Sequence, residues 1–259
     1  QWFDALKIGL EGQGWTENAH PYDRIPAKSE GVIPPAVWSL SHHSAGMAVR
    51  FVSDSPEISA RWSVRSANLS MPHMPATGVS GLDLYAKDGE RWRWVAQGRP
   101  SKQMDNEARL VKGAPEGQHE YMLYLPLYNG TEKLEIGIKA GSTLAKGPAR
   151  ADARPIVFYG TSITHGGCAS RPGMAYPAIV GQRLDRATIN LGFSGNGKME
   201  AEMGTLIAEL DAAVFVLDCL PNMNPEMVTE RVAPLVKILR EAHPDTPIVL
   251  VENIIYQNS

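Results

Sequence analysis

The sequence predicts an α/β protein, with an N-terminal β-sandwich (jelly-roll-like) domain followed by a three-layer α/β domain built on a parallel sheet. Two observations predict this. Residues before 139 alternate apolar and polar side chains in short runs, whereas residues after 155 form near-continuous apolar runs separated by helical patterns. At 259 residues with 43% hydrophobic residues, the chain is long enough for two cores, which we place at 1–148 and 149–259.

The N-terminal strands are predicted from alternation and from the turns between them. Alternating runs occupy residues 46–54 and 57–66. A third stretch, 81–97, carries two runs around a turn at 87–90, and a fourth, 120–139, repeats this pattern around Asn129-Gly130. The sequon that begins at Asn129 is interpreted as this turn, not as a glycan site. The Pro- and Gly-rich stretch 139–155 is interpreted as a linker.

The C-terminal half is predicted from four apolar runs and the helical patterns between them. The apolar runs span 155–160, 187–194, 212–220 and 247–254. Helical apolar stripes span 176–184, 199–210 and 228–239, the last containing Pro234. The strand starts are about 25–35 residues apart, which is the length of a βα unit. The methionines of the second stripe are therefore expected in the core.

Polar residues follow the predicted parallel strands, where such sheets bind ligands. In chain order they are Ser162, then Ser194-Gly195-Asn196, then Asn222, then Glu252-Asn253. A hydroxyl, a glycine turn and a primary amide at one edge are suited to acyl transfer, with N–H groups stabilising an oxyanion. Asp218 and Glu252 are interpreted as structural polar residues at strand ends.

The net charge and the cysteine content limit the classes of binding partner that we expect. A formal net charge of −3 gives no electrostatic reason to expect nucleic acid or an anionic membrane surface. Cys168 and Cys219 have neither CxxC spacing nor paired histidines, so no metal is expected, and we favour two free thiols over a disulfide. The first residue, Gln1, is what removal of a leader would leave, so we expect an exported protein, although the cysteines leave the compartment open. Nothing in the sequence indicates the oligomeric state.

Three blocks of the C-terminal half carry a resemblance to a known family. "YGTSITHGG" at 159–167 resembles the first block of the SGNH (GDSL-like) hydrolases, with Thr161 where the family often has Asp. "NLGFSGNG" at 190–197 and "LDCLPNMNP" at 217–225 resemble the second and third blocks. "GLDLY" at 81–85 resembles the module of a subgroup with an N-terminal GxDLY domain.

The resemblance implies a serine esterase without a cofactor. Ser162 would be the nucleophile, and the N–H groups of Ser162 and Gly195 with the Asn222 side chain would form the oxyanion hole. The substrate would be a small-molecule or polysaccharide ester, and acetyl groups on a carbohydrate are favoured because two-domain relatives often act on them.

The base that such a serine needs is the main departure from the family pattern. Members of the SGNH family resemble one another in having a late Asp-x-x-His block that supplies this base. No Asp-x-x-His follows Ser162 in this sequence. His165 and a histidine of the N-terminal domain are weak candidates, and His243 is expected at the opposite edge of the sheet. We therefore expect that the last strand, the last helix and this block are missing after Ser259, which leaves Ile254, Ile255 and Tyr256 unpacked. As printed, the chain is expected to be impaired as a hydrolase.

Two other functions remain open. The absent base is compatible with a carbohydrate-binding protein built on a degenerate hydrolase. Glycine-rich turns after parallel strands also cradle phosphates, as in a flavodoxin-like nucleotide binder. The latter ranks last because the sequence has no GxGxxG or GxxxxGK[ST] pattern.

Overall fold

The computed structural model describes residues 1–253, and its N-terminal half contains two antiparallel sheets. The strands are β1 Trp2–Asp4, β2 Leu10–Glu11, β3 Ala48–Ser53, β4 Glu57–Val64, β5 Leu82–Asp88, β6 Arg91–Gly98, β7 Asn106–Lys112, β8 His119–Tyr124, β9 Thr131–Ile138 and β10 Leu144–Lys146. The first sheet has the order β1-β9-β4-β7, and the second has the order β10-β3-β8-β5-β6 with β2 paired to β3. This arrangement confirms the predicted β-sandwich.

Alternation places one face of each strand in the sandwich core, as β4 illustrates. Ile58, Ala60, Trp62 and Val64 are buried at every second position. The predicted turn at 87–90 joins β5 to β6, and Gly89 there has a φ of 59°. The pattern around Asn129-Gly130 is not a hairpin, because β8 and β9 belong to different sheets and residues 125–130 cross between them.

The linker prediction needs a correction. Part of the 139–155 stretch forms β10, which pairs with β3 at the edge of the second sheet. After this strand the backbone is held by Arg150, which forms ion pairs with Glu11 at 2.7 Å and Asp185 at 2.9 Å. The composition is typical of a linker, but the ladder and the ion pairs fix its path along the sandwich.

The C-terminal half contains a parallel sheet with the order β12-β11-β13-β14, as predicted. Its two adjacent strands β11 and β12 are buried throughout, which a parallel sheet covered on both faces requires. Met199 and Met203 lie in its core. The strands are β11 Ile156–Gly160, β12 Thr188–Gly192, β13 Val214–Asp218 and β14 Ile248–Leu250, and the helices α4 Ser162–His165, α5 Tyr176–Leu184, α6 Ala201–Ile207 and α7 Pro225–Ala242.

The fourth predicted strand is shorter than expected. Its predicted end at residue 254 lies outside the described residues, as do Ile255 and Tyr256. Within residues 1–253, no helix is both long enough and apolar enough to cross a bilayer.

The chain before β3 packs in part against the parallel sheet, which the sequence did not predict. This part contains helices α1 Ala5–Ile8 and α2 Pro35–Ser41, and a further short helix, α3 Ala76–Val79, follows β4. Ile25, Ile33 and Val37 are buried in the same apolar cluster as Val157 and Leu191 of the parallel sheet. The early segment thus joins the two halves of the molecule.

Candidate active site

The carboxyl ends of β11, β12 and β13 meet at one edge of the parallel sheet. Gly160 is level with Gly192 on one side and with Asp218 on the other. Just beyond the strands, the N–H of Phe193 donates to Gly160 O at 2.9 Å, and the N–H of Thr161 donates to Asp218 O at 3.2 Å. The corner that carries Ser162 therefore lies between the turn after β12 and the segment after β13.

Ser162 begins the single helical turn α4. The Thr161 hydroxyl caps this turn by accepting from the N–H of Ile163 at 3.3 Å, and Gly166 ends it with a φ of 108°. Thr164 and His165 of the same turn are buried, whereas Ser162 is partly exposed. The turn thus places the Ser162 side chain on its accessible side.

Backbone and side-chain N–H groups lie along the same edge. Gly195, with a φ of 69°, is exposed in the turn after β12. Asn222 lies in the short 3₁₀ segment after β13, and its side-chain amide donates to the carbonyl oxygen of Asn196, next to Gly195. Among residues 1–253, the backbone N–H groups of Ser162 and Gly195 have no acceptor. The structure brings Gly195 and Asn222 together at the edge that carries Ser162, while their catalytic roles stay predictions.

The glycines of the second block have two different physical roles. A Cβ on Gly197 would lie 2.1 Å from Gly160 O, and a Cβ on Gly192 would lie 2.1 Å from the backbone nitrogen of His165. A Cβ on Gly195 would meet nothing within 4 Å. Gly192 and Gly197 thus allow close packing against the backbone on either side of Ser162, whereas Gly195 supplies the left-handed conformation and leaves open space around its own turn.

Asp218 stabilises α4 through a hydrogen bond of its carboxylate. Its Oδ2 accepts hydrogen bonds from the Thr164 and Tyr176 hydroxyls, both at 2.9 Å. The Asn190 side chain also donates to Thr164 O at 2.8 Å. Burial raises the pKa of Asp218, and the two hydroxyls oppose this rise. The geometry agrees with the structural role expected for Asp218.

His165 is not available as the base for Ser162. The residue is fully buried, and its Nε2 lies 2.7 Å from Leu127 O. Its ring stacks on that of Tyr128, with 4.0 Å between the centroids. Burial lowers the pKa of His165 well below its usual value, and the nearby Arg24 and His43 lower it further. Its imidazole is a neutral interior group.

No other described histidine takes the role of base. His243 precedes β14 at the amino edge, where its Nε2 lies 2.8 Å from Ala208 O. Within residues 1–253, the Ser162 hydroxyl makes no hydrogen bond to a histidine or a carboxylate. His42 of the N-terminal domain pairs instead with Asp23, its Nδ1 lying 2.8 Å from Oδ2.

Tyr128 lies beside Ser162, a contact that the sequence did not predict. Its hydroxyl donates to Ser162 O at 3.4 Å, although Tyr128 belongs to the N-terminal domain. Burial raises the pKa of its phenol. The only sequence signal was an apolar run before Asn129-Gly130, which does not indicate a contact with residues more than 30 positions away.

Arg24 is a second residue that the sequence did not reveal. Its guanidinium is buried and donates to four backbone carbonyls: those of Leu40 and His43 beside α2, and those of Asn190 and Gly192 in β12. Burial lowers the pKa of Arg24 to about 9. The guanidinium therefore links the early segment to the strand that leads into the Gly195 turn.

The GxDLY motif lies at the contact between the two halves. Asp83 accepts from the Trp94 indole N–H and from the N–H of Gly173, both at 2.9 Å, and its Oδ1 is 3.4 Å from Arg171 Nε. Burial raises the pKa of this carboxyl to about 6, against the opposing effects of its hydrogen bonds and Arg171. Tyr85 lies against Gly173, where a Cβ would come within 2.4 Å of its ring. The motif joins the second sheet of the sandwich to the segment that follows α4.

Three further expectations concern metals, cysteines and glycans. Across the part of the chain that the structure describes, no group of three His, Cys, Asp or Glu side chains is arranged to hold a metal ion. Cys168 is exposed and Cys219 is buried, and the two are not bonded. Asn129 is buried, and its amide donates to Ser66 O and the Ser80 hydroxyl, so it is not accessible to a glycan.

Comparisons with known proteins match both halves of the chain. A family model described as GxDLY, the N-terminus of Esterase_SGNH_hydro-type, matches residues 1–144. A second model, the GDSL-like Lipase/Acylhydrolase family, matches residues 153–259. Among the curated proteins, none matches this sequence.

Several solved structures share the fold. One is a protein from Bacteroides ovatus described as a GDSL-like lipase, with 38% identity and a TM-score of 0.93 over 100% of this chain and 75% of that chain. A salicylyl acyltransferase from a tetracycline biosynthetic pathway has 22% identity and a TM-score of 0.77, covering 96% of this chain and 71% of its own. A family two carbohydrate esterase from Clostridium thermocellum has 16% identity and a TM-score of 0.62, covering 83% and 73%. The last two show a common fold.

Proposed function

Since the chain belongs to the GDSL-like lipase/acylhydrolase family and is therefore an SGNH-type serine hydrolase, we propose that it removes O-acetyl groups from a carbohydrate through Ser162. The observation that carries the proposal is the placement of Ser162, Gly195 and Asn222 at one edge, where the N–H groups of Ser162 and Gly195 have no acceptor among residues 1–253. Carbohydrate is favoured as the substrate because family two carbohydrate esterases have the same fold.

The proposed reaction proceeds through an acyl-enzyme. The Ser162 hydroxyl attacks the acetyl carbonyl carbon and its proton passes to a base, so that a tetrahedral oxyanion forms. The N–H groups of Ser162 and Gly195 and the amide of Asn222 donate to this oxyanion. The sugar hydroxyl leaves with a proton, and water then hydrolyses the acetyl-Ser162 ester to acetate. The mechanism requires a general base that residues 1–253 do not place beside Ser162.

One observation favours a second candidate function. Because the Ser162 hydroxyl has no histidine partner among the described residues, the same edge is compatible with a protein that binds an acetylated carbohydrate without cleaving it. The two functions differ in one property: only an activated serine reacts with a phosphonate ester probe.

Ser162→Ala in the full-length protein tests the proposal. We expect loss of 4-nitrophenyl acetate hydrolysis, loss of acetate release from an acetylated oligosaccharide, and loss of phosphonate labelling. The free energy of unfolding should change by no more than about 0.5 kcal/mol, because the side chain is partly exposed and has no hydrogen-bond partner among residues 1–253.

Ser170→Ala is the matched control, since it removes an exposed hydroxyl from the same connection between α4 and α5. It should retain wild-type turnover. Near wild-type turnover in Ser162→Ala would contradict the proposal. Oligosaccharide binding by a wild-type protein that neither labels nor hydrolyses would support the second function instead.

A further inference from the structure

A loop of the N-terminal domain, residues 125–130, contacts the helical turn that carries Ser162. His165 Nε2 lies 2.7 Å from Leu127 O. The Tyr128 ring stacks on the His165 ring at 4.0 Å and an interplanar angle of 10°, and the Tyr128 hydroxyl reaches Ser162 O at 3.4 Å. Three contacts from one loop thus converge on two residues of α4.

The loop is itself fixed within the N-terminal domain. The N–H groups of Leu127 and Tyr128 donate to Gly78 O at 3.2 Å and Val79 O at 3.1 Å. The Asn129 side chain donates to Ser66 O at 3.0 Å and to the Ser80 hydroxyl at 2.9 Å. A loop with its backbone and side chains bonded in this way is a rigid support.

The hydrogen bond to Leu127 defines the state of His165. A carbonyl oxygen only accepts, so Nε2 carries the proton, and Nδ1 is a buried lone pair without a partner among the described residues. The ring is completely buried, and the Arg24 guanidinium and His43 lie near it. An imidazolium is disfavoured here, so the ring remains a neutral donor.

The length of α4 makes these contacts important for Ser162. A turn of four residues has few internal hydrogen bonds, so its orientation depends on its surroundings. From this geometry we propose that His165 is a positioning residue, through which the N-terminal domain holds Ser162 in the orientation needed for attack on the ester. This inference rests on the proposed function, and it predicts that the docked N-terminal domain is required for catalysis at Ser162.

His165→Phe tests the inference because it retains an aromatic ring against Tyr128 but removes the proton donor to Leu127 O. We expect kcat for 4-nitrophenyl acetate and the rate of phosphonate labelling to fall by about 10- to 100-fold, the effect of a slightly misplaced catalytic group. KM should stay within about twofold, because His165 is fully buried and therefore does not offer a surface to the small ester. His165→Gln places an amide donor near the Nε2 position and should restore most of kcat.

His243→Phe is the matched control. His243 also directs Nε2 to a backbone carbonyl, that of Ala208 at 2.8 Å, and packs near an aromatic ring, that of Phe215 at 5.2 Å. It lies at the amino edge of the sheet, so its substitution should lower the free energy of unfolding by a similar amount and leave kcat unchanged.

Two Tyr-to-Phe variants, each of which removes a single hydroxyl, test the inference if His165→Phe does not fold. Tyr128→Phe removes only the hydroxyl that donates to Ser162 O. This change should lower kcat by about three- to tenfold, which is the value of one hydrogen bond. Tyr121→Phe removes a hydroxyl from the core of the same domain and should have no effect on kcat.

The outcomes separate this inference from the proposed function. If His165→Phe and Tyr128→Phe both keep wild-type kcat and labelling rates while Ser162→Ala is inactive, the positioning role is overturned and the proposed function stands. An active Ser162→Ala variant overturns the proposed function itself.

Discussion

Replacing His43 with Gln should reduce the acid sensitivity of the protein. His43 follows α2, and its ring lies 5.4 Å from that of His165 and 6.0 Å from that of Tyr128. Its Nδ1 is buried without a partner among the described residues. Burial lowers the pKa of His43 to about 3, and the nearby Arg24 and Arg65 guanidinium groups contribute to the decrease.

The sign of the effect follows from proton uptake in the two states. Unfolded His43 takes up a proton as the pH falls below about 6.5, whereas folded His43 stays neutral until about pH 3. Between these values the unfolded state binds more protons. Stability that is present above pH 6.5 is therefore lost as the pH falls toward 3.

The effect of His43 on the free energy of unfolding is largest at pH values where His43 is protonated in the unfolded state only. Lowering the pH from about 7 to about 5 adds nearly one proton to unfolded His43, which lowers the free energy of unfolding by about 2 kcal/mol. Gln is polar and of similar size but cannot be protonated. In His43→Gln, the loss of stability between these two pH values should therefore be smaller by about 2 kcal/mol.

Urea unfolding of both proteins at the two pH values measures this difference. Other groups titrate in the same range, including Asp83, whose raised pKa of about 6 has the opposite sign, but they are present in both proteins and cancel in the comparison. His73→Gln, which replaces an exposed histidine, controls for the substitution itself. An equal loss of stability in wild type and His43→Gln would refute the reasoning.

Two further predictions concern the site and its surroundings. Asn222→Ala should lower kcat by roughly 10²–10³, as expected for loss of one oxyanion donor, and should lower the unfolding free energy by about 1 kcal/mol, because the side chain also donates to Asn196 O. An effect confined to KM would make Asn222 a substrate-binding residue. Gly197→Ala should be less stable than Gly195→Ala by about 1–3 kcal/mol, since both glycines have positive φ but only at Gly197 would the Cβ meet a backbone oxygen, at 2.1 Å. Thermal or urea unfolding compares the two variants, and equal stabilities would contradict this explanation.

The sequence by itself determined the two types of sheet, one antiparallel and one parallel, and the sheet edge that carries the candidate site. Alternation and near-continuous apolar runs are local properties, and each predicts a type of strand without knowledge of its partners. In a parallel sheet the carboxyl ends of the strands lie at one edge, so the residues that follow them share it. The positions of Ser162, Gly195 and Asn222 along one edge therefore followed from sequence order.

The tertiary structure alone decided which residues surround Ser162. His165 is only three positions after Ser162, but its burial depends on Leu127 and Tyr128, more than 30 positions earlier. Arg24 lies in a segment without periodicity, and its four acceptors come from two separate parts of the chain, residues 40–43 and residues 190–192. The predicted hairpin at Asn129-Gly130 was wrong because turn residues do not reveal whether the strands they connect belong to the same sheet.

These successes and failures have one physical reason. A strand or turn pattern reflects the local cost of exposing apolar groups or adopting a positive φ, and a single segment expresses it. The protonation state and the role of His165 depend instead on the burial and hydrogen bonds provided by a loop of the other domain, and only the packed chain brings these groups together.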